Sequence, residues 1–255
     1  MQPLLYDGSF DGFLCAIFDV YVYKYSDATI CKADRFNGNL FNRVHHVHTS
    51  QANSERIRKG LEKRISRQAV QELYYSFLSE LPGIEDILLA YMQYAFASEQ
   101  SVEKDFSHHA VLSVYQTAKK VDREKHRMEA FVRFQQTKDG LYYAMVEPDY
   151  NVLPVITPHF RSRYADQRWL IYDSRRHYGI YYDLETTSEV KLQFSSDASK
   201  GKDVSAVYDV AEPGFQQLWQ QYFRSVNIAA RKNTKLHLQH MPARYWKHLI
   251  EKRGA

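Results

Sequence analysis

The chain has 255 residues, 44% hydrophobic and 25% charged, an ordinary globular balance that fits one large domain or two small ones. It holds no run of 18 apolar residues, MQPLLYDGSF has neither a charged n-region nor an apolar h-region, and Cys15 and Cys31 are too few for an all-cysteine zinc or iron–sulfur site. The expectation is a cytoplasmic chain with no membrane partner and no metal of its own, whose net charge of +4 conceals an asymmetry: residues 215–255 carry eight Lys/Arg against one acid, so the rest sums to about −3.

Asp7, Gly8 and Ser9 supply a turn and cap for a first helix, on which Phe10, Phe13, Leu14, Ile17, Phe18 and Tyr21 recur at helical spacing. Thr29 to Ala33 and Leu40 to His48 read as weak strands, and Ser50 to Ser66 as a polar, Arg/Lys-rich helix. Arg67 to Glu99 forms a helical pair interrupted at Leu81-Pro82-Gly83, because proline cannot continue the hydrogen-bond ladder and glycine readily closes a helix. His109 to Glu124 is one further helix.

Near His126 the period changes. Ala130, Val132 and Phe134 alternate with Phe131, Arg133 and Gln135, Lys138-Asp139-Gly140 signals a turn, and Leu141 to Val146 alternates again, which predicts a hairpin. Trp169 to Asp173 and Tyr178 to Asp183 repeat the pattern around Ser174 to His177, Val190 to Phe194 offers one more strand, and Thr157 to Asp166 is a short helix or loop between the hairpins. From Phe215 a helix places Phe215, Leu218, Trp219, Tyr222, Phe223 and Val226 on one stripe, and Pro242 begins another with Tyr245, Trp246, Leu249 and Ile250 on its apolar side. The whole reads as α+β: a mainly helical N-terminal half, an antiparallel sheet in the middle and C-terminal helices packed on it. The 255 residues form one unit, divisible into a helical part over 50–125 and a sheet with C-terminal helices over 126–255.

Three groups of residues carry candidate chemistry. His45, His46 and His48 have the residue type of metal ligands, but no acid or cysteine lies at a usual ligand spacing, so they are assigned no metal. His126, Glu147, His159 and Asp173 are candidate acid/base residues. With Arg133, Arg163 and Arg176 they fall at hairpin ends and in the intervening loop, where one sheet could gather them into a polar cleft; a salt-bridge network that pins the sheet is the competing reading. Arg175 and Arg176 beside Tyr178, Tyr181 and Tyr182 suit a base-stacking strand surface or, equally, a tyrosine face packed on helices. There is no Walker-type loop, GxGxxG, GxSxG or HExxH.

The segments YDGSFDGFLCAIF, HRMEAFVRF, EPDYNVLPVITPHFRSRY, WLIYDSRRHYGIYYD and LWQQYFRSVNIAARKN followed by MPARYWKHL resemble, nearly end to end, a bacterial family assigned to DNA metabolism and repair and built on a domain of unknown function. The resemblance implies a neighbouring radical S-adenosylmethionine protein as partner, with that cofactor and an iron–sulfur cluster on the partner alone. Some longer relatives add a uracil-DNA glycosylase-like domain, for which this chain has no counterpart. Together, resemblance and charge lead to the expectation of a DNA-engaging protein, favouring single-stranded or damaged DNA. Its phosphate-tracking residues would be Arg224, Asn227, Arg231, Lys232, Arg244 and Lys247, joined by Arg161, Arg163, Arg175 and Arg176. An enzyme acting on nucleic acid or nucleotide and a protein–protein adaptor are the alternatives.

Overall fold

A computed structural model describes residues 2–36, 44–137, 140–191 and 241–249. The chain divides into two compact units, Met1–Asp122 and Arg123–Ala255.

The first unit opens with a strand absent from the sequence expectations, β1 (Gln2–Tyr6), whose Leu4, Leu5 and Tyr6 are all buried. It is the centre of a parallel sheet, flanked by β2 (Ala28–Lys32) and β3 (His45–His46). Parallel neighbours need a crossover, and α1 (Phe10–Val22) supplies the one between β1 and β2. Its cap is the predicted one: the Ser9 hydroxyl accepts from the Gly12 amide at 2.9 Å, and the Asp7 carboxylate accepts from the Ser9 amide and hydroxyl. Leu40 to Arg43 of the predicted Leu40–His48 strand lie outside the described residues.

Helix α2 (Gln51–Glu62) buries Ile57 and Leu61 and turns its charges outward. Helices α3 (Arg67–Phe77) and α4 (Ile84–Ala97) part at the predicted Leu81-Pro82-Gly83 break, where Gly83 caps α4 at φ +77°. Helix α5 runs from His109 to Phe131, past its predicted end. The reason is a continued 3.6-residue stripe: Val114, Val121, Met128 and Val132 are all buried, so the alternation around Ala130 and Phe131 belongs to a helix. The strand predicted there shrinks to β4 (Gln135–Gln136).

The second unit contains a five-stranded sheet in the order β4-β5-β6-β7-β8, with β5 Tyr142–Val146, β6 Trp169–Asp173, β7 Tyr178–Tyr182 and β8 Thr187–Val190. It is mixed, not antiparallel throughout. Helix α6 (Leu153–Arg163) stands between β5 and β6 as a crossover, which makes that pair parallel, while β4–β5, β6–β7 and β7–β8 are antiparallel. β8 begins earlier than predicted. All five residues of β6 are buried, with Trp169 packed among Phe134, Phe160 and Tyr182. Of the predicted C-terminal helices, the first lies outside the described residues. The second is a 3-10 turn, Ala243–His248, begun by Pro242 and anchored by buried Tyr245 and Leu249. The fold is α+β.

Candidate nucleic-acid interface

Parallel β5 and β6 end side by side at Val146 and Asp173, and the chain beyond each end carries charge: Glu147 and Asp149 after β5, Arg175 and Arg176 after β6. The Ser174 amide donates to the Val146 carbonyl at 3.0 Å and joins the two ends. The two strand ends and the turns that follow them thus share one edge of the sheet.

Asp173 is wholly buried, and its carboxylate accepts from the amides of Arg175 (2.8 Å) and Arg176 (3.1 Å) and from the Arg176 guanidinium (2.9 Å). That guanidinium also donates to the carbonyls of Pro148 and Asp149, each at 3.1 Å. The pair therefore ties the β6–β7 turn, where His177 adopts φ +57°, to the loop after β5. An acceptor with three donors and a cation already facing three acceptors are built for scaffolding.

The 3-10 turn brings Arg244 and Lys247 to the same edge. Arg244 bridges Asp149 (2.8 Å) and Glu124 (3.0 Å), and Lys247 pairs with Glu147. Glu124, 1% exposed, also accepts from the Tyr245 hydroxyl at 2.5 Å, and its other oxygen accepts from the Asp149 amide at 2.9 Å. Burial pushes the Tyr245 phenol up and Glu124 pushes it further, so the phenol keeps its proton and donates it. Burial disfavours charge on Arg244, but Tyr245, Glu124 and Asp149 outweigh it and hold the guanidinium charged. Hydrogen bonding from Lys247, against the opposing effect of burial, holds the Glu147 carboxyl below its usual range.

The outer layer of this edge is open and carries both signs: the side chains of Arg175 and Lys247 are 57% and 55% exposed, and those of Arg244, Asp149 and Glu147 are 41%, 42% and 39% exposed. The structure thus gathers six predicted site residues, Glu147, Asp173, Arg175, Arg176, Arg244 and Lys247, and places His126, His159, Arg161 and Arg163 elsewhere. His126 lies on α5 and pairs with Glu129 at 3.2 Å. His159, Arg161 and Arg163 belong to the exposed second half of α6, which runs toward the other end of β7, where the Tyr182 hydroxyl donates to the Ala165 carbonyl. Arg161 donates to the Glu185 carbonyl at 3.0 Å, and Arg163 sits over the Tyr164 ring. The expected single rim of His159, Arg163, Asp173 and Arg176 is therefore not formed, since a helix separates its parts. The candidate acid/base residues His126 and His159 likewise do not pair with Glu147 or Asp173, because the partners of Asp173 are Arg176 and the turn amides and those of Glu147 are Lys247 and, at 3.9 Å, His248. Arg224, Asn227, Arg231 and Lys232 lie outside the described residues.

Tyr178 and Tyr182 are buried, the first bonded to Asn151 and the second to the carbonyls of Ala165 and Leu184, so their face of β7 is packing, while Tyr181 lies on the opposite face and is partly exposed. His45 is held by Asp19 at 2.7 Å and Tyr25 at 3.3 Å, and among the described residues no group of three or more His, Cys, Asp or Glu could hold a metal ion. Glu124, Asp149 and Tyr245 are site residues that sequence reasoning does not single out. Glu124 has a signal: it sits between Val121 and Met128 on the buried stripe of α5, where an acid needs partners.

Fold and edge together define an α+β protein with a salt-bridged rim, rich in Arg and Lys, at the carboxyl ends of two parallel strands. The model of a family described as a domain of unknown function, DUF4130, matches residues 82–251, two thirds of the chain, and the chain belongs to that family. A search of curated proteins found no match. Among the described residues no helix is long and apolar enough to cross a membrane.

Proposed function

We propose that this chain acts in DNA metabolism and repair as the nucleic-acid-engaging partner of a radical S-adenosylmethionine enzyme. The observation that carries the DNA-engaging part is the charge of residues 215–255, eight cations against one acid, with Arg244 and Lys247 from that segment displayed beside Arg175 at the β5–β6 edge. Phosphates bind such a rim without reading sequence, and each one neutralised releases counterions. The partner rests on the resemblance alone, and any cofactor chemistry is the partner's.

The test is fluorescence anisotropy of a labelled single-stranded 20-mer across a salt series. Affinity should fall steeply with salt, and the Arg244→Ala, Lys247→Ala double variant should bind every sequence more weakly, with a slope shallower by about 0.7 for each phosphate that is no longer neutralised. Unchanged affinity and slope in the folded variant would refute the assignment of this rim. Co-purification with the radical S-adenosylmethionine protein from a native host tests the partnership separately.

A further inference from the structure

The first unit carries a surface that the charge asymmetry does not foretell. Helices α1, α2 and α4 converge on it. Tyr21, 45% exposed at the end of α1, meets Phe96 of α4 edge-on at 5.7 Å between ring centroids. Phe18, one turn earlier on α1, lies under the guanidinium of Arg56 at 5.6 Å. Gly60 lies one turn beyond Arg56 on α2, with Lys63 following at the C-cap, and a Cβ at Gly60 would stand 3.2 Å from the Phe96 ring, so the bare backbone lets that ring lie close. Arg64 closes the far side by donating to the Ser98 carbonyl at 3.2 Å.

Arg58 and Lys59 of α2 are paired with Asp11 and Glu55. Arg56 and Lys63 are exposed and have no ion pair among the described residues; Arg56 lies against the Phe18 ring instead. Partly open rings with unneutralised cations beside them suit a chain that offers planar apolar faces and regularly spaced negative charge. Single-stranded nucleic acid does both, whereas an acidic peptide supplies only the charge.

We propose that Tyr21, Phe18 and Phe96, flanked by Arg56 and Lys63, form a second nucleic-acid surface that stacks the bases of a single strand. This rests on the reading that the chain engages nucleic acid, and it adds base stacking to the phosphate binding of the β5–β6 rim.

Two labelled probes separate stacking from charge: a thymidine 20-mer and an abasic sugar-phosphate 20-mer, each titrated with the full chain. Tyr21→Ala should weaken thymidine 20-mer binding about tenfold, leave the abasic oligomer unchanged, and be reversed in Tyr21→Phe, which keeps the ring. Arg56→Ala with Lys63→Ala should weaken both probes and flatten the salt slope by about 1.4. Thymidine affinity unaltered by Tyr21→Ala in the folded protein, or an equal loss on both probes, overturns the proposal. If the Arg244 and Lys247 variant alone loses binding, the rim stands and this surface falls. If the unaltered chain binds neither probe, both readings fall, and an acidic protein retained in their place makes the surface a protein-docking one.

Discussion

Glu124 shows how much one buried side chain organises. Its oxygens take donors from Arg244, Tyr245 and the Asp149 amide, joining the end of α5, the loop after β5 and the C-terminal 3-10 turn. Tyr245→Phe removes one donor from a buried carboxylate and should cost about 1–2 kcal/mol, read as a lower urea midpoint at constant m-value. Lys247→Ala breaks a pair that is half open to water and should cost less than about 1 kcal/mol, which makes it a usable binding variant. In the first unit Gly12 is required by close approach: a Cβ there would stand 2.2 Å from Asp7 Oδ1 and 2.9 Å from Thr49 Oγ1. Gly12→Ala should destabilise by about 1–3 kcal/mol, with a matching fall in Tm.

At the scale of elements, the β1–α1 turn is held by an acid, and that gives stability a pH dependence of definite sign. Burial would raise the Asp7 carboxyl, but donors from Ser9 and Thr49 outweigh it and hold it below its usual range. Asp105 is lowered by the Ser107 and Tyr94 donors and Asp183 by the Thr186 and Glu185 amides, while Lys247 lowers Glu147. Each of these groups binds a proton less readily in the native than in the unfolded chain. Their stabilisation is complete above the ordinary carboxyl value of about 4 and is lost as pH falls through the native values. Asp86, raised by burial, works in the opposite sense and offsets part of that loss. Urea titrations from pH 6 down to about 2 should show falling stability. Asp7→Asn should lower stability at pH 7 and flatten the acid limb; an unchanged acid limb would show that this turn does not contribute.

At the scale of the molecule, the two compact units make the residue-scale effects separable. Gly12 and Tyr245 lie in different units and share no hydrogen-bond partner among the described residues. The Gly12→Ala, Tyr245→Phe double variant should therefore lose the sum of the single losses to within about 0.5 kcal/mol, measured as a double-mutant cycle. A larger coupling energy would mean that strain at the β1–α1 turn reaches the Glu124 network.

By itself the sequence determined the elements whose signals are local. The Ser9 cap of α1, the Leu81-Pro82-Gly83 break, strands β6 and β7 with their tight turn, and the gathering of cations near the C-terminus all depend on neighbours a few residues apart. β1 escapes a sequence reading because a short apolar run at a chain terminus has no flanking period to identify it, and it becomes a strand only between β2 and β3. The β4 region misleads because Ala130 to Phe134 fits both periods over so short a span, and the buried stripe from Val121 to Val132 decides for helix. Tertiary structure alone decided the site. Whether Asp173 meets His159 or Arg176 depends on which end of α6 reaches the carboxyl ends of β5 and β6, and Glu124 meets Arg244 across 120 residues. Such pairings are selected by the cost of leaving a buried charge alone, and that cost exists only once the chain has folded around it.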